Sequence, residues 1–132
     1  MKAALKICIV VITLFMHVSA YPADTGIRAS FEQTVFRVAA GDSGAIILKI
    51  AIPPRSHIYG NPLGPGTGKP TTITIRNASG IQFESPRFLP PKKYYAPGDT
   101  GYVWIYTAET RAALPFNVPA SARPGIRTVS CV

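Results

Sequence analysis

Cys131 lies one residue from the end of the sequence, in the segment GIRTVSCV (125–132). A thiolate is the nucleophile of disulfide exchange, so this residue is the first candidate for chemistry. If the segment is a regular strand, Arg127 and Val129 share the face of Cys131, and a nearby guanidinium favours the thiolate. The alternative is that the cysteine packs as a small hydrophobic residue.

His57 is the second candidate, because it is the only histidine after the first twenty residues. A zinc site needs three or four protein ligands, and a hydrolytic triad needs a nucleophile, a base and an acid. One histidine, one distant cysteine and six scattered acidic residues do not supply either set. We therefore expect no metal site, no cofactor and no hydrolase. The alternative for His57 is a surface residue that only forms hydrogen bonds.

The glycine-rich segment LGPGTGKPT (63–71) superficially resembles a phosphate-binding loop. The phosphate motif needs glycine where Leu63 stands and a hydroxyl residue directly after Lys69, where Pro70 stands. Proline also removes a backbone N–H that would face the phosphate. The segment is therefore predicted to be a structural turn and not a nucleotide site.

The first twenty residues have the features of a secretory signal peptide. Lys2 and Lys6 precede an apolar run at 7–18, and small residues follow up to Ala20. The run is shorter than the roughly 20 residues that a membrane-spanning helix needs. We therefore predict cleavage after Ala20, a periplasmic location and one domain at 21–132; a retained membrane anchor is the alternative.

The net charge and the cysteine count limit the classes of partner that we expect. The formal net charge is +8, and without Lys2 and Lys6 there remain 12 basic residues against six acidic ones, a net of +6. These charges form no stripe, so nucleic acid is not an expected partner. Cys8 falls in the predicted leader, which leaves Cys131 alone in a compartment where disulfides persist. An odd cysteine indicates an intermolecular bond or a free reactive thiol.

The elements that must position these residues are predicted to be β-strands. The 13 prolines and 11 glycines leave no room for a helical stretch. In AIILKIAI (45–52), apolar residues at every second position fall on one face, which is the period of a strand. The other predicted strands are SFEQTVFRV (30–38), TITIR (72–76), IQFESPRF (81–88), YVWIYT (102–107), LPFNV (114–118) and IRTVSCV (126–132).

About seven short strands with turns every 8–12 residues predict an all-β fold, an antiparallel β-sandwich of immunoglobulin-like type. A small barrel is the alternative, and 53–70 is predicted to be one long irregular loop. The sequence ends within the last predicted strand, so that strand or its neighbour is expected to have an unpaired edge.

The order of several motifs is similar to that of a known family. The series runs through IPPRSHIYGNPLGPGTGKPTTI (52–73), IQFESPRFLPP (81–91), YYAPGDTGYVWI (94–105) and VSC (129–131). It resembles the periplasmic N-terminal domain of DsbD, the bacterial protein-disulfide reductase, from about Ala29 to Val132. The matched positions are His57, Tyr59, Gly66, Gly68, Pro70 and Thr71.

The resemblance implies an immunoglobulin-like fold and a redox function. Domains of this family use two cysteines to accept electrons from a thioredoxin-like partner and pass them to periplasmic disulfide proteins. Cys131 matches the first cysteine of that pair, and the second is absent. The resemblance thus implies that the C-terminal hairpin is missing, either because the gene product is truncated or because this is a natural single-cysteine variant. A third alternative is that the chain does not fold stably, because loss of the hairpin removes core surface from a small domain.

The resemblance also implies which residues surround the thiol. Family members shield the active cysteines with an aromatic cap and flank them with further aromatic residues. By position, Tyr94 and Tyr95 correspond to the cap, and His57 and Tyr59 to the flank. The alternative for each is ordinary strand or loop packing.

Two functions are therefore expected from the sequence. The first is a periplasmic thiol–disulfide exchange domain with Cys131 as its redox residue. The second is a secreted β-sandwich that binds a partner without catalysis and whose cysteine is incidental.

Overall fold

The computed structural model describes residues 9–16 and 26–132, which form twelve β-strands and no helix. The strands are β1 (Ile9–Met16), β2 (Arg28–Phe31), β3 (Val35–Ala39), β4 (Ser43–Ala51), β5 (Ile58–Tyr59), β6 (Ile75–Asn77), β7 (Gln82–Phe83), β8 (Arg87–Phe88), β9 (Lys92–Tyr94), β10 (Val103–Tyr106), β11 (Glu109–Asn117) and β12 (Gly125–Cys131).

The strands form three sheets. Sheet A has the order β3-β1-β12-β6, and sheet C has the order β5-β10-β9. Sheet B has the order β2-β4-β11-β7, and β8 also pairs with β11. All these pairs are antiparallel except that of β1 with β12, which is parallel.

Sheet B is covered by sheet A at one end and by sheet C at the other. Its long strands β4 and β11 pair over nine residues, so their inner faces extend beneath both smaller sheets. At one end Ile46 and Phe116 pack with residues of β1 and β12, and at the other Leu48 and Ala112 pack with Tyr106 of β10. The prediction of an all-β sandwich is therefore confirmed.

The alternation in β4 is also confirmed, because all four predicted inward residues are buried. They are Ile46, Leu48, Ile50 and Ile52. The segment 30–38 is divided into β2 and β3, and 81–88 is divided into β7 and β8 around Pro86. Within the predicted loop 53–70 the structure has a short strand, β5.

Part of the predicted leader forms a central strand. Ile9–Met16 lies between β3 and β12, and its side chains Val10, Ile12 and Leu14 are buried. The predicted cleavage position after Ala20 lies outside the described residues. β12 is paired on both sides, by β1 and β6, so among the described strands the edge lies at its neighbour β6 and not at the last strand.

In the described part of the chain, no helix has the length and apolar character needed to cross a bilayer.

Candidate functional site

Three of the predicted site residues form one aromatic cluster on sheet C. The ring of His57 lies 5.2 Å from that of Tyr59 and 5.2 Å from that of Tyr94, between centroids. The register of β10 with β5 and β9 explains why the two tyrosine rings lie close together, because Tyr59 pairs with Ile105 and Tyr94 pairs with Val103. Residues two apart on β10 point to the same face, so strands on either side bring both tyrosines there.

A cleft of about 590 Å³ opens beside this cluster. His57 and Tyr94 line it together with Arg55, Ile105 and Thr107. His57 and Tyr94 are both half-buried. The cleft is therefore lined by aliphatic, aromatic and polar side chains together.

The glycine-rich segment 63–71 packs on the same face of sheet C. Gly66 donates its N–H to the carbonyl of Tyr102 at 2.9 Å, and a Cβ on it would lie 2.7 Å from Cγ1 of Val103. A Cβ on Gly68 would lie 3.1 Å from the ring of Tyr59. Glycine is needed here because the backbone packs directly on the side chains of Val103 and Tyr59.

Replacing Gly66 with alanine is expected to lower the free energy of unfolding by about 1–3 kcal/mol, because the added methyl group overpacks against Val103. Urea unfolding measures the change. Thr67→Ala is the matched control, because Thr67 is exposed in the same loop and its change should stay within about 0.5 kcal/mol. Equal stability of the two variants would contradict the close packing.

Tyr95 lies apart from the cluster. It is 63% exposed, and its ring contacts Tyr102 at a centroid distance of 6.0 Å. Tyr102 in turn contacts Trp104 at 5.2 Å, and Nζ of Lys93 lies 4.4 Å from the Tyr102 ring centroid. This second aromatic surface was not predicted from the sequence.

Cys131 is buried in sheet A. The residue is 3% exposed, and its backbone lies between Met16 of β1 and Ile75 of β6. Burial raises the pKa of the thiol above its ordinary value, because the thiolate loses hydration. The guanidinium of Arg127 donates to the carbonyl of Arg123 at 3.3 Å. The expected effect of Arg127, a thiol pKa below the ordinary value, is therefore wrong.

A short segment joins the aromatic cluster to the strand of Cys131. Thr71 donates its N–H to the carbonyl of Tyr59 at 3.2 Å. Thr74 and Val132 exchange two backbone hydrogen bonds, at 2.7 and 2.9 Å. Three residues of extended chain span about 10 Å, so a short covalent path connects the end of β12 with the strand of Tyr59 although the two belong to different sheets.

No group of three or more histidine, cysteine or acidic side chains suited to a metal ion occurs among the described residues. Within the same residues Cys131 is the free cysteine.

The chain was also compared with known proteins. No family model, no curated protein and no solved structure matches it.

Proposed function

We propose that this chain is a thiol–disulfide exchange domain that acts through Cys131 in the periplasm and serves thioredoxin-like and other disulfide-containing partners. The observation that carries the proposal is the segment Thr71–Thr74, which ties the cluster of His57, Tyr59 and Tyr94 to the end of the Cys131 strand. The similarity of the motif order to DsbD N-terminal domains supports the same role.

The reaction is a simple exchange. The thiolate of Cys131 attacks one sulfur of a partner disulfide, a new S–S bond forms between the two proteins, and the other partner sulfur leaves as a thiolate. Within the described residues there is no second cysteine to attack this bond. Release therefore needs a thiol from outside, either the partner's second cysteine or a small thiol.

The thiol must become accessible before it reacts. At 3% exposure and with a raised pKa, Cys131 is a poor nucleophile in the resting fold. Productive exchange thus requires local opening at the end of β12, where Thr74 and Val132 form the last backbone pair. A partner that docks beside this end favours the open form and directs the thiol to its own disulfide.

The test uses a full-length Cys8→Ser chain, so that Cys131 is the only thiol. The substrate is a thioredoxin-like protein that lacks its resolving cysteine and carries 5-thio-2-nitrobenzoate on the remaining one; attack releases the coloured thiolate. We expect a covalent complex that Cys131→Ser abolishes.

The matched control moves the thiol to the exposed neighbouring position, with Cys131→Ser and Val132→Cys in the same chain. For each thiol we compare its rate with the protein disulfide to its rate with a small aromatic disulfide. This ratio should be at least about tenfold higher for Cys131 than for the relocated thiol, because access to Cys131 depends on docking. Equal preference, or no complex with Cys131, overturns the proposal.

The second candidate is a binding module without catalysis, which the burial and raised pKa of Cys131 favour. Its binding surface would be the exposed side of sheet C, where Lys93 lies over Tyr102 and Trp104. This function predicts that Cys131→Ser retains the partner, whereas the exchange domain loses covalent capture.

A further inference from the structure

The centre of sheet A is a slot that β1 fills. β1 pairs with β12 over seven residues in parallel and with β3 over five residues in antiparallel orientation. Without β1, the facing edges of β3 and β12 would present unpaired N–H and C=O groups along this length. Such edges accept another strand readily.

The floor of the slot determines which side chains fit. Val10, Ile12 and Leu14 are at most 6% exposed and pack in one cluster with Ile46, Leu114, Phe116 and Val129. The three residues occupy alternate positions, as expected for a strand with one buried face. A charged side chain at the middle position would enter this cluster without a partner. The slot therefore selects branched aliphatic residues at three alternate positions.

We propose that the slot between β3 and β12 is a strand-acceptor site that takes an extended apolar segment of another polypeptide. The segment runs parallel to β12 and enters when Ile9–Met16 is not in the slot, as after the predicted cleavage following Ala20. The slot shares β12 with Cys131, because Met16 pairs with Cys131 along it. The inference does not rest on thiol exchange, and its test measures peptide binding alone.

After leader removal, a second copy of this chain is a poor source of that segment, because it too lacks Ile9–Met16. The other long strands with alternating buried aliphatic residues are β4 and β11, and both are already paired on their two sides in sheet B. The remaining sources of a strand for the slot are a leader segment and a strand of a foreign polypeptide. After leader removal the foreign strand is the occupant.

The test uses the full-length chain with Ile12→Asp, which places an unpaired carboxylate at a position that is 0% exposed and so expels β1. The probe is a labelled peptide of residues 9–16 with two lysines added at each end for solubility. Fluorescence anisotropy should show binding to the Ile12→Asp chain and none to the wild-type chain, whose slot is filled. A peptide with aspartate at the Ile12 position should bind at least about 100-fold more weakly.

Thr13→Asp is the matched control, because Thr13 is half-buried and an aspartate at this position remains hydrated. That chain should keep β1 in place and bind no peptide. If Ile12→Asp alone prevents folding, the wild-type peptide should restore the melting transition and the aspartate peptide should not. Three outcomes overturn the proposal. The wild-type peptide neither binds nor restores folding, or both peptides act equally, or the chain forms a stable dimer and captures no peptide.

Discussion

Replacing Phe116 with alanine should lower the free energy of unfolding by about 3–5 kcal/mol. The side chain is 1% exposed and lies in the core that joins sheet A to sheet B. Its ring centroid is 6.4 Å from that of Phe36 and 6.0 Å from that of Phe83. A Cβ on Gly44 would lie 2.8 Å from the Phe116 ring, so one side of the ring packs directly on backbone. Urea denaturation followed by the fluorescence of Trp104 measures the loss.

Tyr95→Ala is the control for this experiment. It removes a ring of similar size that is 63% exposed, so its change should stay within about 0.5 kcal/mol. If Phe116→Ala costs less than about 1 kcal/mol, the packing of sheet A on sheet B differs from the structure described above.

The long strand β4 was predictable because burial on one face imposes a period of two. In β4 every second residue from Ile46 to Ile52 is apolar, and each of these side chains is buried. This pattern is local, so the sequence alone contains it. The partner of each strand is not local, and the three-sheet arrangement therefore was not predicted.

Two short strands, β5 and β9, had no such signal. β5 and β9 contain two and three residues, and each follows a proline-rich stretch that predicts a loop. They form because β10 supplies backbone partners from a distant part of the chain. Tertiary pairing thus determines these elements, and periodicity does not.

β1 shows a different ambiguity. An uninterrupted apolar run next to basic residues predicts a secretory leader, but a short apolar run also suits a strand that is buried in the middle of a sheet. Ile9–Met16 is such a strand in the structure. A cleavable leader and a central strand are compatible interpretations, since a segment that cleavage removes can form part of sheet A before it is removed.

The candidate site was predictable in part. The motif series indicated His57, Tyr59 and Tyr94, and the structure brings these three rings together. Tyr95 lies elsewhere because neighbouring residues of an extended chain point to opposite sides. The burial of Cys131 depends on the strands β1 and β6 beside it, which no local pattern around residue 131 reveals.

In the folded Cys8→Ser chain, iodoacetamide should alkylate Cys131 at least about 100-fold more slowly than in the urea-unfolded chain. Reaction requires the end of β12 to open, and a 100-fold reduction corresponds to an opening free energy of about 2.7 kcal/mol. Opening is unfavourable because it breaks the backbone pairs of Cys131 with Met16 and Ile75 and that of Val132 with Thr74. Mass spectrometry of quenched samples measures both rates.

The pH dependence separates access from ionisation. Burial raises the pKa of Cys131, so at neutral pH the folded thiol is protonated and the rate should continue to rise with pH beyond about 8.5, where an ordinary thiol levels off. The relocated thiol, with Cys131→Ser and Val132→Cys, is the control; its position is 46% exposed, so it should react fast and level off at the ordinary pH. Rapid alkylation of Cys131 with an ordinary pH profile would mean that the end of β12 is open at rest, so docking would no longer be needed to expose the thiol. Slow alkylation alongside efficient capture of a partner disulfide would instead mean that the partner itself opens this end of the strand.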